Sequence, residues 1–322
     1  MALDVLALGE LLIDFTPVGL ASSGGAVYEQ NPGGAPANVL VALARLGGSG
    51  ALIGKVGQDQ FGIFLRDVLT ANGVNVQGLR FTTRASTTLA FVHLDGEGNR
   101  SFSFCRKPGA DILLKPQEVD LALLEQCAVF HFGSLSLTNE PARSATLHAV
   151  ERAKQLGKTI SYDPNWRPPL WKSTSAAKKG MKTGLAYCDV LKVSAEELAF
   201  LTDEPDMARA SSLLLDRGIR VVLTTLGASG CYFASRAGAG HVPSWPIKAA
   251  DTTGAGDAFL GAFLYQLCRS GKAPEQLEAA ELREMVRFAN AAGALCATRK
   301  GAISAMPQPE EVAALLCSPQ AK

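Results

Sequence analysis

The chain opens with a short apolar run, Val5 to Leu8, that stops at Gly9. Its length and its lack of polar alternation predict a central strand buried on both faces. A second apolar stretch, Leu11-Leu12-Ile13, runs directly into Asp14. From Val39 the spacing becomes helical: Val39, Leu40, Val41, Leu43, Ala44 and Leu46 share a face, and Gly47-Gly48 closes the segment. Thr87 to Leu94 and Ser101 to Arg106 alternate apolar with polar around Asp95-Gly96-Glu97-Gly98-Asn99, a hairpin signal. With Asp14 to Pro17 and Tyr28 to Asn31 they would form a small sheet outside the main fold.

Beyond about residue 120 strands and helices alternate. Strands are predicted at Val129 to Phe132, Thr159 to Tyr162 and Val190 to Val193, with helices at Ala142 to Leu156 and Ala176 to Tyr187 between them. That order requires a parallel sheet with helices on both faces and puts ligands at the carboxy ends of its strands. Asp163-Pro164-Asn165-Trp166-Arg167 follows one such end and Ser194-Ala195-Glu196-Glu197 the next. Val221 to Leu226 reads as a further buried strand, turned by Gly227-Ala228-Ser229-Gly230 into a strand over Cys231 to Ala234. Ala258 to Cys268 reads as a buried helix, and Leu277 to Thr298 as a long helical tract.

Composition narrows the class without changing this outline. The chain has 322 residues, 47% of them hydrophobic, with 32 glycines and 16 prolines, which suits a globular α/β protein with one core; we expect a single domain over residues 1–322. Net charge is +1, with 31 basic against 30 acidic residues and no basic run, so nucleic acid and anionic membranes are poor partners and small molecules better ones. No apolar run reaches bilayer-spanning length and no charged leader precedes one, so a cytoplasmic location is expected. The seven cysteines form no Cys-x-x-Cys pair and read as reduced core residues; the four histidines show no metal-ligand spacing, which argues against a protein-held zinc.

The chemistry concentrates in two glycine turns that each open a helix. In Asp251-Thr252-Thr253-Gly254-Ala255-Gly256-Asp257, the unpaired amides of Gly254 to Asp257 would converge on one point at the positive end of a helix dipole, a cradle for a phosphoryl group. Asp257, kept ionised by that dipole, would accept a proton from a hydroxyl lying against the phosphate; the alternative is a plain capping residue. The other turn is Gly33-Gly34-Ala35-Pro36-Ala37-Asn38, where Asn38 is either a helix cap or a ligand. Asp14, an acid in an apolar setting, needs an internal partner or a polyol whose hydroxyls it accepts.

Together these strings resemble the two signatures of the PfkB family, the ribokinase-like sugar kinases, in their proper order and across essentially the whole chain. The resemblance implies a three-layer αβα fold with a mostly parallel central sheet and a small β lid, here about residues 12–33 and 84–107, through which a homodimer would form. It implies ATP and magnesium, an anion hole at Gly254, Ala255 and Gly256, and Asp257 as catalytic base. Asp14, Gly33, Gly34 and Asn38 would bind sugar. Thr225, Gly227 and Gly230 would lie near ATP, and Asn290 near adenine unless it faces solvent. The family's Asn-x-x-Glu motif, which supports magnesium, appears with Ser194 replacing the Asn and Glu197 retained to hold metal waters. A potassium site would use Asp251, Thr253, Cys296, Arg299, Gly301 and Ala305. Ala305 departs from the serine often found there, and Asp251 otherwise only caps its own turn.

Within the family the chain is most similar to fructokinases, through Phe104 to Asp111 and Asp163 to Trp171. The alternative is 2-keto-3-deoxygluconate kinase, since Arg106 and Arg167 would equally pair with a sugar-acid carboxylate. A nucleoside kinase is less favoured, with no aromatic pair to sandwich a base. Gly50-Ala51-Leu52-Ile53-Gly54-Lys55-Val56 misses the Walker phosphate loop by its spacing, and no Gly-x-Gly-x-x-Gly follows the first strand, which disfavours a dehydrogenase. A catalytically silent sugar or nucleotide sensor is the alternative from another class.

Overall fold

The computed structural model describes residues 2–94 and 100–318, so the Asp95 to Asn99 turn lies outside it. The strands are β1 (Leu3–Leu8), β2 (Leu12–Leu20), β3 (Ala26–Gly33), β4 (Gly50–Gly57), β5 (Leu79–Thr82), β6 (Leu89–Leu94), β7 (Arg100–Cys105), β8 (Cys127–Gly133), β9 (Thr159–Asp163), β10 (Val190–Ser194), β11 (Val221–Thr225), β12 (Cys231–Ser235) and β13 (Gly238–Val242). The main sheet runs β13-β12-β11-β10-β9-β8-β1-β4-β5, parallel from β11 to β5 and closed at the other edge by antiparallel β12 and β13. The second sheet, β3-β2-β6-β7, pairs β2 with β3 and β6 with β7 antiparallel, and β2 with β6 parallel.

Helices cover both faces of the main sheet, as expected. On one side pack α1 (Ala35–Arg45), α2 (Gln60–Ala71), α8 (Ala255–Ser270), α9 (Ala279–Ala297) and α10 (Pro309–Leu316). On the other lie α3 (Leu121–Gln126), α4 (Ala142–Gln155), α5 (Thr174–Leu185), α6 (Ala195–Thr202) and α7 (Met207–Asp216). Strand alternation divides β1 between the two cores: Val5 and Ala7 enter the first, Leu6 and Leu8 the second. Each fully buried leucine contributes roughly 1.5–3 kcal/mol by leaving water, so the unbroken apolar run follows from having a core on each side.

One unassigned segment is placed and two expectations are corrected. Gly50 to Val56, weighed only as a failed phosphate loop, is the fully buried strand β4, and Lys55 donates to Glu118 and, at 3.2 Å, to the Leu113 carbonyl. The helix predicted over Ala176 to Tyr187 runs two residues earlier, because the Ser173 hydroxyl accepts from the Ala176 amide at 3.1 Å and sets its start. Of the seven cysteines, all free, Cys105 and Cys317 are exposed and Cys268 half-buried, so only the remaining four are core residues.

Candidate active site

The carboxy ends of β1, β9 and β10, the amino ends of α1 and α8, and one face of the small sheet enclose a cavity of about 450 Å³. A second cavity of about 290 Å³ lies between the β11–β12 turn and α9. Thr252 and Gly256 line both. The glycine turn is therefore the wall where the two spaces meet.

That turn is held from two sides. Gly254, the residue before α8, has φ +78°, and a side chain there would meet Ala302 at 2.8 Å. Asp251 accepts from the Thr253 amide at 2.8 Å and from the Gly301 amide at 3.1 Å, so it caps its own turn and also ties it to the 298–305 loop. Among the described residues the amides of Gly254, Gly256 and Asp257 have no backbone acceptor, as expected for the first turn of a helix. The Ala255 amide departs from the expected cradle, because it donates to the Thr252 carbonyl at 3.3 Å.

Asp257 does not cap α8. Its Oδ2 accepts from Asn38 Nδ2 at 2.8 Å, joining the two glycine-turn helices, while Asn38 Oδ1 is buried with no partner. Burial pushes Asp257 up to about 6, against the opposing pull of the Lys192 ammonium and the Asn38 hydrogen bond. Burial, and not the helix dipole alone, therefore sets where this carboxylate titrates. It titrates nearer neutrality, which makes it a stronger base that is still ionised at pH 7.

Asp14, on β2, lines the same cavity and is also raised to about 6 by burial, with Arg167 opposing and Asp257 and Asp251 adding to the rise. Gly33 leaves room for the Asp14 carboxylate, which a side chain there would overlap. Gly34 adopts φ +114° and packs on the Glu10 carbonyl. Glu10, just past β1, reaches back so that its Oε1 accepts from the Ala35 amide at 3.0 Å and caps α1. Arg167 borders the cavity and donates to the Trp166 carbonyl at 3.1 Å.

Arg106 is not available to a ligand. It is buried, paired with Asp111 at 2.5 Å, and donates to Thr138 Oγ1 at 3.0 Å and to the Leu135 carbonyl at 3.2 Å. With four of its five donors engaged, the guanidinium has no fork left for a sugar-acid carboxylate.

Ser194, which replaces the family's Asn, caps α6, its hydroxyl accepting from the Glu197 amide at 3.1 Å. Glu197 accepts from the Ser194 amide at 2.8 Å and from the Trp166 amide at 2.6 Å, fixing the loop after β9 onto α6. Each of its oxygens keeps a second lone pair for a metal-bound water. On the far side of the glycine turn, Thr225, Gly227, Gly230 and Asn290 line the smaller cavity together. Asn290 does not face solvent: it is buried and donates to the Val242 carbonyl at 2.9 Å.

Asp251, Thr253 and Gly301 share a small recess beneath the small sheet. Cys296 Sγ lies 3.8 Å from the Thr253 carbonyl, while the Arg299 side chain turns away to Glu311 and Ala305 is buried in a 3-10 turn. A cation there would be met mainly by Asp251 and by backbone oxygen. Among the described residues no group of three His, Cys, Asp or Glu side chains is arranged to hold a metal.

Lys192 was not anticipated, and Asp163 only as the first residue of a loop at a strand end. They pair at 2.8 Å beside the glycine turn, Asp163 at the end of β9 and Lys192 within the adjacent β10. The available signal was a lysine inside the otherwise apolar Val190-Leu191-Lys192-Val193, since a buried charge demands a reason.

Comparison with known proteins places this geometry. A family model described as pfkB family carbohydrate kinase matches residues 2–309. Probable fructokinase-5 of Arabidopsis thaliana is 45% identical over 320 residues, which cover 98% of this chain and 97% of that protein. Among solved structures, the fructokinase of Xylella fastidiosa with bound ATP aligns with a TM-score of 0.90 at 36% identity, covering 97% of this chain and 98% of that one. The Vibrio cholerae fructokinase bound to fructose, ADP and a calcium ion aligns at 0.88 and 37% identity, with the same coverage.

Proposed function

Because the chain belongs to the pfkB family of carbohydrate kinases, we propose that it is an ATP-dependent fructokinase that phosphorylates the 6-hydroxyl of D-fructose, with Asp257 as general base. Its architecture is the ribokinase-like α/β fold of the fructokinase structures it matches. The observation that carries the mechanistic reading is the position of the glycine turn, which borders both cavities at once. Fructose occupies the larger cavity and adenosine the smaller, so that the γ-phosphoryl group lies against the free amides. Asp257 takes the hydroxyl proton, the sugar oxygen forms its bond to phosphorus, and the bond from phosphorus to the leaving ADP oxygen breaks.

Asp14 accepts hydrogen bonds from sugar hydroxyls, and the orphaned Asn38 Oδ1 accepts another while its amide holds Asp257. Glu197 would hold the waters of a magnesium ion brought in with the nucleotide, and that ion would offset the charge of the phosphates. Potassium beside Asp251 and Thr253 would stiffen the turn from below. The small sheet serves as a lid over the sugar, and its exposed Val18, Leu20 and Val27 are the contact of a homodimer. No described helix is long and apolar enough to cross a membrane, and we place the enzyme in the cytoplasm. The sugar-acid alternative loses ground because Arg106 is buried with both of its forks already engaged.

The test of substrate choice is kcat/KM measured side by side for fructose, ribose, adenosine and 2-keto-3-deoxygluconate. Fructose should lead, and a lead for the sugar acid would reverse the assignment. Asp14→Ala removes a buried acceptor, worth about 1–3 kcal/mol, so KM for fructose should rise roughly tenfold to hundredfold at 1.4 kcal/mol per decade. KM for ATP should stay near its wild-type value. An unchanged fructose KM would remove Asp14 from the sugar site.

The pH profile follows from the same two carboxylates. Both are raised to about 6, and both act ionised, so kcat/KM should be full above that value and fall as pH drops through it. Because the two interact, the acid limb belongs to the pair and should be steeper than one proton allows. Asp14→Ala should reduce it to a single-proton limb. A profile flat to pH 5 would contradict the base assignment.

A further inference from the structure

Three described cations are buried: Lys55, Arg106 and Lys192. Lys55 is satisfied by Glu118 and a carbonyl, and Arg106 by Asp111, Thr138 and Leu135. Lys192 is different. Its ammonium carries three donors, yet the one hydrogen bond it makes among the described residues is to Asp163 Oδ2, at 2.8 Å. Its side chain is about nine-tenths buried and borders the larger cavity.

Its position is tightly specified. Lys192 shares a strand face with Val190, which packs in the core beneath α8. A side chain on Gly256 would come within 2.9 Å of Lys192 Nζ, so the ammonium sits against the first turn of that helix, next to the amides that have no acceptor. The glycine is needed there for the lysine as much as for the turn. Asp163 is itself anchored, its other oxygen accepting from the Asn165 amide at 2.9 Å. Burial alone would favour the neutral amine, but Asp163, Glu197 and Asp257 outweigh it and the lysine stays charged.

Resting on the kinase reading above, we propose that Lys192 is a catalytic residue that completes the anion hole, binding the transferring phosphoryl group together with the Gly256 and Asp257 amides, and that Asp163 is a positioning residue for it. During transfer the proton of the sugar hydroxyl goes to Asp257 and the electron pair of the broken bond to ADP. Lys192 keeps its proton throughout and answers the charge spread over the phosphoryl oxygens. A fixed cation already in place needs no reorganisation when that charge develops.

The bland account is that Lys192 only neutralises Asp163, and buried ion pairs are often replaceable as a unit by neutral groups. The double substitution Lys192→Met with Asp163→Asn separates the two. It removes both charges together, so thermal unfolding should stay close to wild type, while kcat with ATP and fructose falls by at least about a hundredfold, as for removal of one oxyanion-hole donor. Fructose binding measured by calorimetry should change less than threefold, and the preference for ATP over ADP should shrink. A double variant within tenfold of wild-type kcat would overturn the proposal. Should that variant not fold, a crystal structure of the wild-type protein with fructose and the imido analogue of ATP decides: Lys192 Nζ should lie within about 3.2 Å of a γ-phosphoryl oxygen, and a separation beyond hydrogen-bond reach refutes it. Wild-type turnover in the same assays keeps the two claims apart. If wild type phosphorylates none of the sugars the kinase reading itself fails, whereas an active wild type with an active double variant sinks only the role of Lys192.

Discussion

Asp257→Asn is expected to lower kcat for fructose by about a hundredfold to ten-thousandfold, the range over which a positioned general base acts, while fructose and ATP still bind. Asparagine fills the same volume and can still meet Asn38 Nδ2 through its carbonyl oxygen, so the bridge from α1 to α8, 2.8 Å long in the wild type, has a neutral replacement. What disappears is the group that takes the hydroxyl proton. The amide's second donor would also point at the hydroxyl that should be donating, which misorients the attacking oxygen and adds to the loss. Steady-state kinetics with calorimetric binding of both substrates checks this. A variant keeping more than a tenth of wild-type turnover would remove Asp257 as the base, and a parallel loss of binding would recast it as a structural bridge.

Gly34→Ala is expected to damage both stability and sugar binding, through the backbone alone. At φ +114° an L side chain is strained, at a cost of about 1–3 kcal/mol. Its Cβ would also overlap the Glu10 carbonyl oxygen and sit 3.1 Å from Leu11 Cα, main-chain atoms that cannot rotate away. Overpacking adds about 1–3 kcal/mol, and the sum is a large part of a typical stability of about 5–15 kcal/mol. Relief requires α1 to shift away from β1, carrying with it the Ala35 amide bound to Glu10 and the Asn38 side chain bound to Asp257. Thermal unfolding should move down by several degrees and KM for fructose should rise. An alanine variant with wild-type melting and KM would show that the turn tolerates the side chain.

The order of elements was legible because it is written in local spacing. The unbroken Val5 to Leu8 run, the helical spacing after Asn38 and the alternation of strand and helix from Val129 each depend on residues near in sequence, and each forms as read. The two glycine turns were legible for the same reason: a glycine before an apolar helical run marks a helix start wherever it packs. Strand β4 escaped because its glycines and lysine resembled a loop, and only a place between β1 and β5 makes such a segment a strand.

What side chains do with their charge was decided elsewhere. Asn38 and Asp257 are 219 residues apart, and nothing local to either says that they share a hydrogen bond. The sequence offers Arg106 as a carboxylate ligand and gives Lys192 no role. Folding surrounds Arg106 with acceptors, and leaves Lys192 hydrogen-bonded to one carboxylate among the described residues, beside an open cavity. Even the upward pKa shifts of Asp14 and Asp257 come from burial by distant strands, with the nearest cations, Arg167 and Lys192, opposing them. Thus the sequence alone determined the layers, the turns and the candidate for the base. Only the tertiary structure decided which polar groups are satisfied and which remain open to a ligand, because hydrogen bonding, desolvation and Coulomb interaction act through space rather than along the chain.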